Sequence, residues 1–560
     1  MKKELMTFLA LATLTVNAQA QLPALKKIGT STCLMVDGKP FVMRSGELHN
    51  STASSISYMQ QEKVFDRLKA MNLNSVIATV SWELMEPVEG KYDFSHVDYL
   101  LKEARAHDMK LSLIWFGSFK NPFMTYAPLW VKGNAKKFPH AVDEQGKDME
   151  MLCLQNETLQ KAEIRAYTAL MKYLKDNDKQ HTVVMMQVEN EPGLRGSTRD
   201  FSAQAEKAWK SNVPSQLIDY LKKNDATLMP DLKKAWNSNG NKTKGDWETV
   251  FGKSLTADDG SNPILNLTEH LFTACTYASY LDALSEAGKK VYALPTFINA
   301  SVFGTNSRGR SLGNGCSIGD FFDVYRACAP SIDILTPNSY MQQLDQICEQ
   351  YSWKGNPIFI PESSVQGARG LYAVGEWDAI CFSPFGIDSA DKGRNEAAGQ
   401  RLKECYALMA EMEPLILSNL GSDKMRGVYI YNGHDAMDIE MGDYKISFIP
   451  QKGFDIGALM AGANNGANLN GAPAPEKKVE GGAIIIQTAA DEFIFAGYGI
   501  NATIALKDGV KHKFCGYDAI YEGQFKNGTF VPGRLLNGDE RNVTITEDEV
   551  KALKVKLFHY

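Results

Sequence analysis

Eight short apolar runs, separated mostly by stretches of helical period, occupy residues 41 to 382 of this 560-residue chain. They cover 41–45, 75–82, 110–116, 182–188, 291–298, 332–336, 357–361 and 378–382. A strand buried on both faces of a parallel sheet reads as a continuous hydrophobic run, not an alternating one. The intervening segments 60–71, 96–107, 158–174, 267–287, 321–327 and 340–351 carry apolar residues at helical spacing, and a long closing helix is expected over 395–417. Ser95 and Thr268 are placed as helix N-caps, and Gly288 as a C-terminal stop. Strand and helix repeated about eight times predict an α/β fold closed into a (β/α)8 TIM barrel. The absence of Gly-x-Gly-x-x-Gly after the first run speaks against a dinucleotide-binding sheet.

The fourth and fifth runs are far apart. Residues 194–265 are polar, with helical stretches at 203–221 and 230–236, and are expected to form an insertion above one face of the barrel. Beyond about residue 420 the pattern changes. A Gly-, Asn-, Ala- and Pro-rich stretch at 461–482 reads as a long loop. Short runs at 483–487, 492–496, 502–506, 542–545 and 553–558 read as strands bounded by turns. The expected organisation is a leader at 1–20, a barrel with its insertion at 21–420, and a small all-β C-terminal domain at 421–560.

The leader is read from Met1-Lys2-Lys3, an apolar stretch from Leu5 to Val16 and a small-x-small site at Ala18-Gln19-Ala20. That stretch is too short to span a bilayer. Export to the periplasm or medium is expected, with no lipid anchor, since no cysteine follows the cleavage site, and no membrane anchor elsewhere. A net charge of −6 gives no electrostatic ground for nucleic-acid binding. The nine cysteines are scattered without a Cys-x-x-Cys pair, so neither a zinc site nor a disulfide framework is indicated. Cys275, Cys381 and Cys405 read as core residues, and one disulfide, Cys316 with Cys328, is left open. The nine histidines show no ligand spacing, so no metal and no cofactor is expected.

Chemistry concentrates where two of the runs stop. Met186-Gln187-Val188-Glu189-Asn190-Glu191-Pro192 and Ile358-Phe359-Ile360-Pro361-Glu362-Ser363 each end on a carboxylate. In a barrel of this kind, catalytic groups sit at the strand ends. Singly, each residue reads as a surface loop glutamate; as a pair they match the two carboxyl groups that cleave a glycosidic bond. Pro192 and Pro361 are expected to hold their neighbours extended. Asn190 would bind a sugar hydroxyl. Glu47, closing the first run, either binds hydroxyls or pairs with Arg44. Trp115, with Ser118 after it, is either a sugar platform or core. Tyr340 would donate to the nucleophilic carboxylate and keep it ionised.

Gln187-Val188-Glu189-Asn190-Glu191 is similar to the acid/base motif of glycoside hydrolase family 35, the β-galactosidases of the large retaining barrel clan. The resemblance is closest to a bacterial branch with a small β-rich C-terminal domain. It extends to Arg44-Ser45-Gly46-Glu47-Leu48-His49-Asn50, Trp82-Glu83-Leu84-Met85-Glu86-Pro87, Trp115-Phe116-Gly117-Ser118, Asn356-Pro357-Ile358-Phe359-Ile360-Pro361-Glu362 and Gly533-Arg534-Leu535-Leu536-Asn537-Gly538-Asp539-Glu540. It implies Glu191 as acid/base, Glu362 as nucleophile and exo cleavage of terminal β-galactose with retention. The chain departs from that pattern at Pro192, at Ser301 where a tryptophan is usual, and at Cys275-Thr276-Tyr277; these positions bear on the sugar. A same-clan exo-β-glycosidase for another sugar and a catalytically silent carbohydrate-binding protein are the alternatives.

Overall fold

The computed structural model describes residues 21–560 apart from 123, 254–266, 303–312, 433, 435 and 451–479. The expected leader and most of the Gly/Asn-rich loop lie outside the described residues. Eight strands form the central sheet: β1 (Met43–Arg44), β2 (Ser75–Ser81), β3 (Lys110–Lys120), β4 (Val183–Asn190), β5 (Thr296–Val302), β6 (Ile334–Ser339), β7 (Phe359–Ser363) and β8 (Cys381–Pro384). Neighbouring strands pair in parallel in the order β1-β8-β7-β6-β5-β4-β3-β2. The ring closes just past β1, where Ile77 N donates to Gly46 O at 2.9 Å and Leu48 N to Ile77 O at 3.0 Å. The predicted fold class, a TIM barrel with a β-rich C-terminal region, is the one observed.

Four helices flank the barrel wall around the site: α1 (Glu157–Asn177), α2 (Leu267–Val291), α3 (Gly367–Trp377) and α4 (Glu396–Asn419). The inner core of the barrel is apolar at its floor, with Met43, Ile77, Ile114, Phe297 and Phe359 buried together and the Phe297 and Phe359 rings 4.4 Å apart. Above that layer the interior turns polar, through Ser45, Glu47, Asn299, Asn338 and Glu362. In-register pairing sets Ser301 beside Asn338 and Asn338 beside Glu362, a row across β5, β6 and β7.

The fifth run is displaced from its expected place. β5 begins at Thr296 because α2 continues through Gly288 to Val291, with Tyr292 N still bonded to Gly288 O at 2.9 Å. Gly288 is therefore no stop. A Cβ there would lie 2.5 Å from Tyr167 Cε1, so the glycine lets α1 and α2 approach closely. Thr268 lies inside α2, and Ser95 is the first residue of its helix, not its cap. The insertion is helical at Ala203–Trp209, Ser215–Asn224, Pro230–Ser238 and Trp247–Phe251. Cys328 faces Cys275, not Cys316: the two thiols lie with Sγ atoms 2.9 Å apart, while Cys316 donates to Gly313 O.

The C-terminal region forms a six-stranded and a four-stranded antiparallel sheet. The larger packs on α3 at main-chain distance. A Cβ at Gly427 would fall 2.6 Å from Tyr372 O, and one at Gly482 would lie 2.7 Å from Ala368 Cα. Among the described residues no helix is long and apolar enough to cross a membrane, and no His/Cys/Asp/Glu group could hold a metal.

Candidate active site

β4 is buried along its whole length and releases the chain into an unusual conformation. Glu189 has φ 63° and Glu191 φ 51°, in the left-handed region that side chains with a Cβ avoid. The extended geometry expected ahead of Pro192 is thus not the one adopted. Side-chain partners supply the reason: Glu191 N donates to Asn299 Oδ1 at 2.8 Å, and its carboxylate turns inward to meet Ser301 Oγ and Asn338 Nδ2. Glu362, from the end of β7, faces it. Its Oε1 accepts from Asn338 Nδ2 at 2.8 Å and Asn299 Nδ2 at 3.1 Å, and its Oε2 from Tyr340 OH at 2.8 Å.

Asn338 Nδ2 therefore donates to Glu191 Oε1 at 2.7 Å and to Glu362 Oε1 at 2.8 Å. Those two bonds put the two oxygens no more than 5.5 Å apart. Burial, and then the facing Glu191 charge, push the Glu362 carboxyl up to about 7, against the pull of Lys120, Tyr340 and Asn338. Two carboxyl groups this close cannot both ionise freely, so the pair holds a proton through the acid range.

Glu47 completes the polar chamber. It is fully buried, and neither carboxyl oxygen has a hydrogen-bond partner among the described residues. Arg44, its alternative partner, pairs instead with Glu413 at 3.1 Å. Burial, then Glu362 and Glu191, raise the Glu47 carboxyl well above its ordinary range, with Lys120 opposing. Lys120, also buried, donates to Asn121 Oδ1 at 2.7 Å, and Asn121 Oδ1 accepts from Asn190 Nδ2 at 3.1 Å.

The structure thus brings Glu191, Glu362, Asn190, Glu47 and Tyr340 together. It does not bring Trp115 or Ser118 to them. Trp115 is fully buried on the helix side of the wall, donating to Glu163 Oε1 and packed against Tyr167 and Trp82. Ser118 Oγ also binds Glu163 there, beside Tyr280 OH. Alternation along the strand turns Trp115 outward between the inward Ile114 and Phe116, but does not account for Ser118, three positions further on. Asn338, Asn299 and Lys120 were not picked out from the sequence. Their signal is a polar residue inside or ending an apolar run, at Thr336-Pro337-Asn338, Ile298-Asn299 and Phe119-Lys120.

Two family profiles match the chain. That of glycoside hydrolase family 42, described as beta-galactosidase, covers residues 55–356, and that of a domain of unknown function covers 402–546. The first corrects the resemblance to family 35: the strings that carried it are mostly strand-end motifs, and catalysis on a barrel constrains those in more than one family. No curated protein matches the chain. Similar solved structures include a beta-galactosidase from Bacillus circulans sp. alkalophilus at 17% identity and TM-score 0.46, covering 67% of this chain and 57% of that one. Another, from the psychrophilic Marinomonas ef1, has 13% identity and TM-score 0.44 over 68% and 61% of the two chains. A third, from the Antarctic haloarchaeon Halorubrum lacusprofundi, has 15% identity and TM-score 0.43 over 65% and 58%. The chain covers less than two thirds of each of these structures.

Proposed function

The chain belongs to glycoside hydrolase family 42, the beta-galactosidases, and on that premise we propose that it is an exported enzyme removing terminal β-linked galactose from oligo- or polysaccharides with retention of configuration. Glu362 attacks the anomeric carbon while Glu191 protonates the leaving oxygen; Glu191 then takes a proton from the water that releases the sugar. The observation that carries this reading is the shared Asn338 amide. An upper bound of 5.5 Å between these two oxygens suits the direct attack of a retaining pair, whose carboxyls stand about 5–5.5 Å apart.

Asn299, Asn338 and Tyr340 all donate to Glu362, which favours the ionised form that a nucleophile needs. Glu47, buried and with its carboxyl raised well above the ordinary range, faces the same chamber. A hydroxyl that meets it satisfies two otherwise unpaired buried oxygens. Export rests on the charged start, apolar stretch and cleavage pattern of the first twenty residues.

The test is a panel of nitrophenyl glycosides, followed by proton NMR of the first sugar released from the best substrate. β-Galactoside turnover with β-galactose formed first is expected. Galactose appearing first as the α-anomer would overturn retention, and a preference for another sugar would overturn galactose. A 2-fluorogalactosyl label recovered on any residue but Glu362 would reassign the nucleophile.

A further inference from the structure

Behind the wall that carries Glu191 lies a second pair of glutamates. Glu189 points away from the chamber, where its Oε1 accepts from Ser118 N at 2.6 Å and its Oε2 from Gly117 N at 3.0 Å. Glu163 of α1 reaches the same place. Its Oε1 accepts from Trp115 Nε1 at 2.9 Å, and its Oε2 from Tyr280 OH of α2 at 2.6 Å and from Ser118 Oγ. Both residues are fully buried, and Ser118 joins them, its N–H donating to Glu189 Oε1 and its Oγ to Glu163 Oε2, so the two carboxyl groups are close neighbours. Two buried carboxyls side by side cannot both ionise freely. Burial, then Glu163, raise Glu189 well above its ordinary range, with the Gly117 and Ser118 amides opposing.

Room for the pair is built into β3. A Cβ at Gly117 would fall on Glu163 Oε1 and lie 2.7 Å from Glu189 Oε1, so the strand gives up a side chain where the two acids meet. The pair has no place in the chemistry, because the wall stands between it and the chamber. It does hold the stretch from which Glu191 projects. That stretch combines two left-handed residues, a conformation that persists only where its surroundings over-determine it. Glu189 is fixed by its carboxyl, its carbonyl accepts from Gln187 Nε2 at 3.0 Å, and Asn190 O accepts from Asn121 N at 3.1 Å.

We propose that Glu163 and Glu189 share a proton across the back of β3 and β4 and act as positioning residues that set the orientation of Glu191. The inference rests on Glu191 being the acid/base. A residue that acts through an acid/base has a kinetic signature that a merely structural one lacks. Departure of 2,4-dinitrophenolate needs no proton, whereas departure of an alkoxide does. Misplacing a catalytic group by about 1 Å can cost 10²-fold.

The experiment compares wild type with Glu163→Ala and Glu163→Gln on alkyl and 2,4-dinitrophenyl β-galactosides. For Glu163→Ala, kcat/KM on the alkyl galactoside is expected to fall about 10- to 100-fold, and on the dinitrophenyl galactoside less than about twofold. On the latter kcat and KM fall together, because base catalysis of the second step suffers, and azide restores kcat. Glu163→Gln supplies its own hydrogen to Glu189 and is expected to keep near-wild-type kinetics. If the alanine variant does not fold, Glu163→Asp, which keeps the acid but withdraws it by one methylene, takes its place in the same comparison. Equal losses on both leaving groups, or no loss on either, would overturn the proposal. Wild type failing on every glycoside would instead defeat the reading of the active site.

Discussion

A single amide group sets the spacing of the two carboxylates. Asn338 donates to both, and removing it frees them to rotate apart and takes a donor from each. Asn338→Ala is expected to lower kcat/KM by about 10²–10³-fold, the scale of losing a preorganised donor, as steady-state kinetics on a nitrophenyl galactoside will read. The value near 7 for Glu362 belongs to loss of the pair's last proton, since Glu191's charge is among its causes. The competent form holds that proton, so kcat/KM is expected to decline as pH rises through about 7. The same shift bears on stability. A carboxyl whose folded pKa is raised favours the fold below its unfolded value near 4.5, and that contribution is lost as pH rises to about 7. Glu362→Gln is therefore expected to abolish activity yet melt higher than wild type at pH 8, by on the order of 3 kcal/mol of stability, with no gain at pH 4. Equal melting temperatures at pH 8 would contradict the charge argument. Glu191 and Glu362 stood out in the sequence because each ends a buried run. Asn338 and Asn299 did not, because an isolated asparagine within an apolar run has no meaning until the register places it between two carboxylates.

At the level of elements, the strand and helix pattern was legible because burial on both faces writes itself as apolar runs. The exceptions share a cause. Gly288 has the signature of a helix end, and α2 runs straight through it, since glycine also serves where two helices touch. Gly288→Ala tests this. The added methyl improves helix propensity by up to about 1 kcal/mol but collides with Tyr167, and overpacking of this kind costs about 1–3 kcal/mol. A net fall in melting temperature is expected; a rise would mean that α1 and α2 yield easily. Trp115 shows the complementary difficulty. An aromatic near the end of a barrel strand faces either the chamber or the helices, and only the pleat decides. Glu163 carried a clue in retrospect: it interrupts the apolar stripe Leu159, Ala162, Ala166, Tyr167 and Leu170 of α1.

For the whole molecule, the barrel and the C-terminal sheets are joined by more than a linker. Arg369 of α3 is fully buried and donates to Ser339 O at 2.8 Å and Met341 O at 2.6 Å, on either side of Tyr340. The other face of α3 lies on the six-stranded sheet, where Ala368 N donates to Tyr498 OH at 3.2 Å. Scanning calorimetry is expected to show one cooperative transition for the full chain. Ending the chain after residue 421 should give protein that is insoluble or lacks activity. Two separate transitions, or an active truncated barrel, would show that the sheets are dispensable. The sequence marked the C-terminal strands by their turns, but nothing in it pointed to the helix they cover.

That contact also has a consequence in time. The strand containing Gly482 emerges from the ribosome about a hundred residues after α3, and chains fold from the N-terminus as they are made. Until then the nascent barrel exposes an apolar helix next to the strand that carries Glu362. The chain must therefore be kept from aggregating for several seconds of synthesis, and any pause between residues 377 and 480 lengthens that exposure.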